Sequence, residues 1–352
     1  MAENTCLNRR QNIAEGPQAR VLFLGGADMP ESENALSFDA ELKRYAGEHD
    51  YRCGALVSCA AADWLQERDM GLVSLPGMTL QELFAAREAL TPAVGIGVGE
   101  NGALANRPGV VAVNGVRLGV LSLSETTENG GDGRAAEADI EDLAVYDHVR
   151  MLLPQCDHVV VICRAGLPGV GLPLPEWRER FRRLIEAGAS AVLDVRSDEP
   201  MGWEEYGRGV VFYGLGRLTG DSLAVSITFE RNGRFTYESR LLEAGADTIG
   251  FSADDAKKEA VNAKNALLAD ETRYLDAVER ACTAYCRAEG YETLFASVSN
   301  RGGFSGFLRK IRKDDRQDGE AMLKSILAET SRRSAVLRAL DAKERTKAGD
   351  EK

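Results

Sequence analysis

The sequence predicts a layered α/β domain with mixed sheets, followed by a C-terminal helical extension. Three observations carry that reading. Short apolar, strand-like runs alternate with amphipathic helical stretches over residues 19–245. Two β-rich pairs are joined by Asn-Gly dipeptides, Asn114-Gly115 and Asn232-Gly233. From about residue 246 the composition turns Ala-, Glu- and Lys-rich.

Residues 1–18 are polar and unpatterned and read as a disordered arm. VLFLGG at 21–26 is a buried strand ending in glycines, and Asp39 to Tyr45 reads as a helix. GALVSCAAA at 54–62 gives a second buried strand, Leu80 to Leu90 a helix, and AVGIGVG at 93–99 another strand. VVAVNGVRLGVLSLSE at 110–125 is the clearest local signal, because Asn-Gly suits the positive φ angles of a type I′ hairpin turn. The same logic is expected at Asn232-Gly233. Between the hairpins lie a helix near Val145–Leu153, the strand HVVVIC, a helix from Glu176 to Ala187, and the strands AVLDV and GVVFYGLG. GVGENG lacks the strand–turn–helix setting of a dinucleotide fingerprint. Helical patterns then run from Ala253 to Glu289 and from Gly319 to Ala342. The expected division is an α/β domain over 19–245, a helical extension over 246–345 and a disordered tail over 346–352. The segment from 246 onward carries 20 basic and 19 acidic side chains, so the negative charge sits in the α/β part.

The 352 residues include 43 basic and 55 acidic side chains, a formal charge of -12. That balance argues against a nucleic-acid binder, since phosphate backbones are held by Lys and Arg. No apolar run approaches the roughly 20 residues of a membrane span, and residues 1–20 show no signal-peptide core. A cytoplasmic protein is expected. The 7 cysteines show no CxxC and no pairing with His, which reads as reduced thiols packed as small hydrophobes. Only 3 histidines are present, few for a metal-rich site.

The order of segments over residues 21 to about 230 resembles the CapA family of capsule and poly-γ-glutamate synthesis proteins. VLFLGG stands for the opening strand, and ALVSCAAADW…GLVSLPGMT for the family's SLANNH…GL…T. AVGIGVGENGALANRPGVVAVNGVRLGVLSLSE resembles its GAG…NG.R hairpin segment, and HVVVICRAG its VIVSLHWG. LPEWRERFRRLIEAGASAVLDVRSDEP stands where the family reads LIDAGADVVVGHHPH, and EEYGRGVVFYGLGRLTGD parallels EYNGR.IFYSLGNFVFD. The resemblance implies a calcineurin-like metallophosphatase fold, an αββα sandwich whose strand ends hold two metal ions.

The ligand positions themselves are replaced. The family's Asp of the opening GD falls on Gly26, and the Asn and His of NNH fall on Ala62 and Asp63. The His of HWG becomes Arg164, the two His of HPH become Arg196 and Asp198, and the Asn of LGN becomes Arg217. None of His49, His148 and His158 lies at such a position. A guanidinium is cationic and has no lone pair to donate, so it cannot ligate a metal. Two-metal hydrolysis needs cations that activate water and offset charge on the reacting oxygens. The expectation is therefore a pseudoenzyme related to capsule synthesis, with no metal and no cofactor. The arginines either pair with Asp28, Asp63, Asp194 or Asp198 to close a relic cleft, or bind an anionic phosphate or carboxylate. A rearranged metal site built on Asp28, Asp63 and Asp198, and with it a divergent phosphoesterase, remains the alternative.

Other features carry less. Phe304, Phe307, Leu308 and Ile311 form one apolar helix face beside Arg309 and Lys310. Such a face packs on the α/β domain or touches a membrane surface or another protein. Trp64, Trp177 and Trp203 fall near segment ends and are read as packing rather than sugar platforms. Ser58 and Ser197 lack a histidine partner, and Glu204 and Glu205 read as surface charge in a turn.

Overall fold

A strand that is apolar at every position must be covered on both faces, and two runs of this kind organise the molecule. The computed structural model describes residues 16–28, 36–126, 133–291 and 322–350. In chain order its first half comprises β1 (Gln18–Ala27), β2 (Ser37–Phe38), α1 (Ala40–Gly47), β3 (Tyr51–Leu56), α2 (Ala62–Gln66), β4 (Leu72–Ser74), α3 (Leu80–Leu90), β5 (Val94–Ile96), β6 (Val98–Gly99), α4 (Gly102–Ala105), β7 (Gly109–Val113) and β8 (Val116–Ser124). There follow β9 (Ala136–Glu137), α5 (Ala144–Leu152), β10 (His158–Arg164), α6 (Pro175–Ala187), β11 (Ala191–Asp194), β12 (Pro200–Tyr206), β13 (Gly209–Leu215), β14 (Ser222–Glu230), β15 (Phe235–Ala244) and β16 (Thr248–Phe251). The chain ends in α7 (Asp255–Leu268), α8 (Glu271–Ala288), a helical turn over 322–328 and α9 (Thr330–Asp350).

One sheet has eight strands in the order β2-β16-β15-β14-β1-β3-β4-β5, and a second has six in the order β12-β13-β11-β10-β8-β7. Both are mixed. β1 pairs with β3 in parallel and β14 antiparallel, while β10 pairs in parallel with both β8 and β11. Side-chain alternation then assigns the layers. Val21, Phe23, Val160 and Ile162 meet between the sheets in one core. Leu22 and Leu24 face the other way, into a core shared with Leu42 of α1, Leu65 of α2 and Leu83 of α3. Val159, Val161 and Cys163 face outward from the second sheet onto Trp177 and Phe181 of α6, Tyr274, Val278, Cys282 and Cys286 of α8, and Ala335 and Ala339 of α9. Helices, sheet, sheet, helices: this is the αββα sandwich with mixed sheets that the sequence predicts.

Local chemistry fixes the ends. Asp39, Asp254 and Asp270 cap α1, α7 and α8, and Thr79 with Glu82 forms a reciprocal capping box on α3. The Asp270 cap is why Ala253–Glu289 forms two helices rather than one. At the first hairpin Asn114 and Gly115 both take positive φ, 49° and 81°, as a type I′ turn demands. The second hairpin differs. There only Gly233 has positive φ, 85°, and its N–H donates to Glu230 O at 3.1 Å, so the extra residue makes a bulged loop. Trp64, Trp177 and Trp203 are all buried packing residues. Cys53, Cys156, Cys163, Cys282 and Cys286 are free thiols.

Two expectations change. Glu204 is not a surface turn residue: it lies in β12, where its carboxylate accepts from Arg182 Nε at 2.6 Å and Arg178 Nη2 at 3.0 Å, and also from the Tyr213 hydroxyl. β16 extends the first sheet beyond residue 245, so the sandwich reaches Phe251. Phe304, Phe307, Arg309 and Lys310 lie outside the described residues. Among the described residues no helix is long and apolar enough to cross a membrane.

A guanidinium-lined cleft at the strand ends

β1, β10, β11 and β13 all deliver their C-terminal ends to one edge of the sandwich, the usual position for a site in open α/β sheets. The two sheets touch there through the main chain. Gly26 N–H donates to Gly216 O at 3.0 Å, and Leu218 N–H donates to Gly26 O at 2.9 Å. The approach needs glycine. A Cβ on Gly25 would lie 2.2 Å from Gly216 O, and Gly216 has φ +76° with Asp221 O 2.3 Å from where its Cβ would stand.

Arg217 leaves this junction between two carboxylates. Its Nη1 donates to Asp28 Oδ2 at 2.9 Å, and its Nε stands 2.6 Å from Asp198 Oδ1. The Nε–H does not point along that second line, so that contact is an ion pair rather than a hydrogen bond. Arg196 turns away from the aspartates. Its Nη1 donates to Glu125 Oε2 at 3.2 Å, its Nη2 to Glu329 Oε1, and only its backbone N–H meets Asp194, at 2.8 Å. Glu125 also accepts from Gly166 N–H at 3.2 Å, Ser331 N–H at 2.7 Å and Ser331 Oγ at 2.6 Å. Burial raises its pKa in spite of those donors.

Arg164 is different. It is 9% exposed, and its Nη1 is buried without a hydrogen-bond partner among the described residues. Burial pushes its pKa down to about 10, with Asp194 and Glu137 acting to raise it and Arg196 and Arg217 to lower it. It is still a cation at neutral pH. Asp194, fully enclosed, is pushed up to about 7 by burial, against hydrogen bonds from the Arg196 and Ala165 backbones and the charges of Arg196 and Arg164. Glu137 is likewise raised by burial.

Of the positions singled out in the sequence, Gly26, Asp28, Arg164, Arg196, Asp198 and Arg217 therefore gather at this edge. Ala62 is buried in the core under the first sheet, and Asp63 is exposed in the first turn of α2 with no ion pair to the arginines among the described residues. The sequence reading overlooked Glu125, Glu137 and Glu329. Glu125 carried a signal, a lone charge closing the apolar run LSLS; Glu329 carried none.

A two-metal centre does not fit these residues. Arg164, Arg196 and Arg217 present guanidinium groups, which have no lone pair to donate, and the carboxylates of Asp28 and Asp198 are already held by Arg217. Among the described residues no group of three or more His, Cys, Asp and Glu is placed to hold a metal ion. His49 and His158 serve elsewhere, bonded to Tyr45 O and Glu230 O, each at 2.7 Å. Beside the cleft lies a cavity of about 580 Å³ between Leu167, Pro168, Arg196 and Asp198 on the sandwich and Ala284 and Tyr285 on α8.

Residues 88–222 match the sequence profile of the family described as Bacterial capsule synthesis protein PGA_cap. No curated protein matches the chain. Among solved structures, the chain is similar to a hypothetical protein from Thermus thermophilus, with 16% identity and a TM-score of 0.44, covering 64% of this chain and 100% of that one. It is also similar to a 5′-nucleotidase precursor from the same organism, with 14% identity and a TM-score of 0.45, covering 70% of this chain and 58% of that one. A 5′-nucleotidase from Candida albicans shows 8% identity and a TM-score of 0.42, covering 77% of this chain and 60% of that one. The chain thus spans less than two thirds of either nucleotidase, and the layer order rests on its own strands and cores. Residues 88–222 are thus similar to the bacterial capsule synthesis proteins, and they lie within a chain whose two mixed sheets are covered by helices on both outer faces.

Proposed function

We propose that this capsule-synthesis relative is a pseudoenzyme, in which metal-dependent hydrolysis has given way to recognition of an anionic ligand. The supporting observation is Arg164: a buried guanidinium with an unpartnered Nη1, at the end of the strand where the family carries a histidine. A buried donor left unsatisfied costs about 1–3 kcal/mol, more when charged. A phosphate or carboxylate supplies the missing acceptors through short, charge-assisted bonds. Arg217, spanning Asp28 and Asp198, holds the cleft wall in place without a metal. The resemblance to poly-γ-glutamate synthesis proteins makes a chain of carboxylates a fitting ligand for such a site.

Calorimetric titration of the full chain with inorganic phosphate and with malonate tests this. Saturable binding that weakens at least about tenfold in Arg164→Gln is expected, one charge-assisted contact being worth that much or more. Unchanged affinity in that variant removes Arg164 from the site. Stoichiometric Mn, Fe or Zn in the purified protein, with phosphodiester hydrolysis lost on chelation, overturns the reading in favour of a divergent phosphoesterase.

A further inference from the structure

The residues at the start of α9 do something unusual for a helix N-terminus. Glu329, the single residue between the helical turn 322–328 and α9, is 3% exposed, although an unpaired glutamate belongs in water. Its carboxylate reaches Arg196 from 133 positions away along the chain, and its second oxygen stands 2.6 Å from Arg332 Nε. Thr330 donates from Oγ1 to Glu141 at 2.9 Å. Ser331 is fully buried: its Oγ–H and N–H both go to Glu125, and its Oγ accepts from Trp177 Nε1 at 2.6 Å. Three consecutive side chains thus grip three separate parts of the sandwich, at the mouth of the arginine cleft.

We propose that Glu329 is the cleft's own built-in anion, so that the site is self-occluded: an external carboxylate or phosphate engages Arg196 only when the Glu329–Ser331 segment lifts away. The proposal rests on the anion-binding reading above and adds its regulation. Its chemistry is an exchange of like for like. One carboxylate leaves Arg196 and another anion takes its place, so that the guanidinium is not left without a counter-charge. The body of the incoming ligand has room in the adjoining cavity of about 580 Å³, which Arg196, Asp198 and Arg332 line together with Tyr285 and Ala288. Because Glu329 is tethered, its effective concentration is on the order of millimolar, and a free ligand binds more weakly by the fraction of time the segment is open.

The test compares malonate and inorganic phosphate binding to the full chain and three variants. Glu329→Gln is expected to bind about tenfold more tightly than the native chain. Ser331→Ala loosens the segment without altering charge and is expected to move the same way. Glu259→Gln, which removes a carboxylate exposed on α7, is expected to change nothing. In the native chain, saturating ligand should also red-shift tryptophan emission, since Trp177 loses its Ser331 cover. Preference for malonate over phosphate, or the reverse, tells a planar from a tetrahedral anion. If Glu329→Gln and the native chain bind equally while Arg164→Gln abolishes binding in both, the anion site stands and self-occlusion is wrong. Absence of binding in every variant overturns both.

Discussion

Asp194 shows how burial sets charge in this cleft. Its carboxyl titrates near 7 rather than 3.8 because it is enclosed, even with two backbone N–H groups directed at it. The sign follows from proton counting. Between about pH 4 and pH 7 the folded chain holds a proton there that the unfolded chain releases, so this group's contribution to stability falls as pH rises through that window and levels off above it. Asp194→Asn keeps an acceptor for the Arg196 N–H and removes the titration. Urea midpoints of the variant should therefore gain on the native chain from about pH 4 to pH 7; a constant difference across that range would show that Asp194 ionises freely. At this scale much was legible in the sequence. The arginine substitutions were visible as charges standing where neutral donors belong, and Arg217 does pair with Asp28 and Asp198 as one reading expected. The partners of Arg196 were not, because Glu125 and Glu329 are brought to it by tertiary packing that no local spacing encodes.

At the scale of elements, β12 and α6 are joined by a polar cluster inside an otherwise apolar interface. Burial works against ionisation of Glu204, but hydrogen bonds from Arg182, Arg178 and Tyr213 overcome it and hold the carboxyl below its usual range. Arg178 continues to Glu271 at 2.8 Å and to Leu268 O at 2.7 Å, which ties α6 to the junction of α7 and α8. Removing the shared acceptor takes that partner from Arg182 and the Tyr213 hydroxyl and leaves Arg178 with Glu271 and Leu268 O. Glu204→Ala should cost about 3 kcal/mol in denaturant unfolding, and Glu204→Gln clearly less, since the amide oxygen still accepts. Equal losses would mean that the cluster acts only by filling space. The sequence misled here because EEY next to a Gly reads as a turn, whereas pairing with β13 makes it a strand with one edge under α6. The first Asn-Gly hairpin was read correctly for the opposite reason: the turn type is written in the dipeptide itself.

For the whole molecule, the outer core of the second sheet is built jointly by α6, α8 and α9, with Trp177, Phe181, Tyr274, Cys282 and Ala335 in one cluster. The change of composition near residue 246 therefore marks a change of element type within a shared core. Melting followed by far-ultraviolet circular dichroism and by tryptophan emission should give coincident midpoints, as one cooperative unit requires. A lower transition seen only by helical signal would separate the extension from the sandwich. The layer order was legible because strands apolar at every residue announce two covers, but which helices supply the second cover depends on contacts between distant segments.

The main-chain contact between Gly26 of β1 and Gly216, just past β13, has a mechanical consequence. Where two backbones bond directly, with no side chain to act as a spacer, the opposing walls cannot slide apart without breaking main-chain hydrogen bonds. The floor holding Asp28 and Arg217 is thus a rigid weld, and any breathing of the aperture falls to the lid of helices on its outer side.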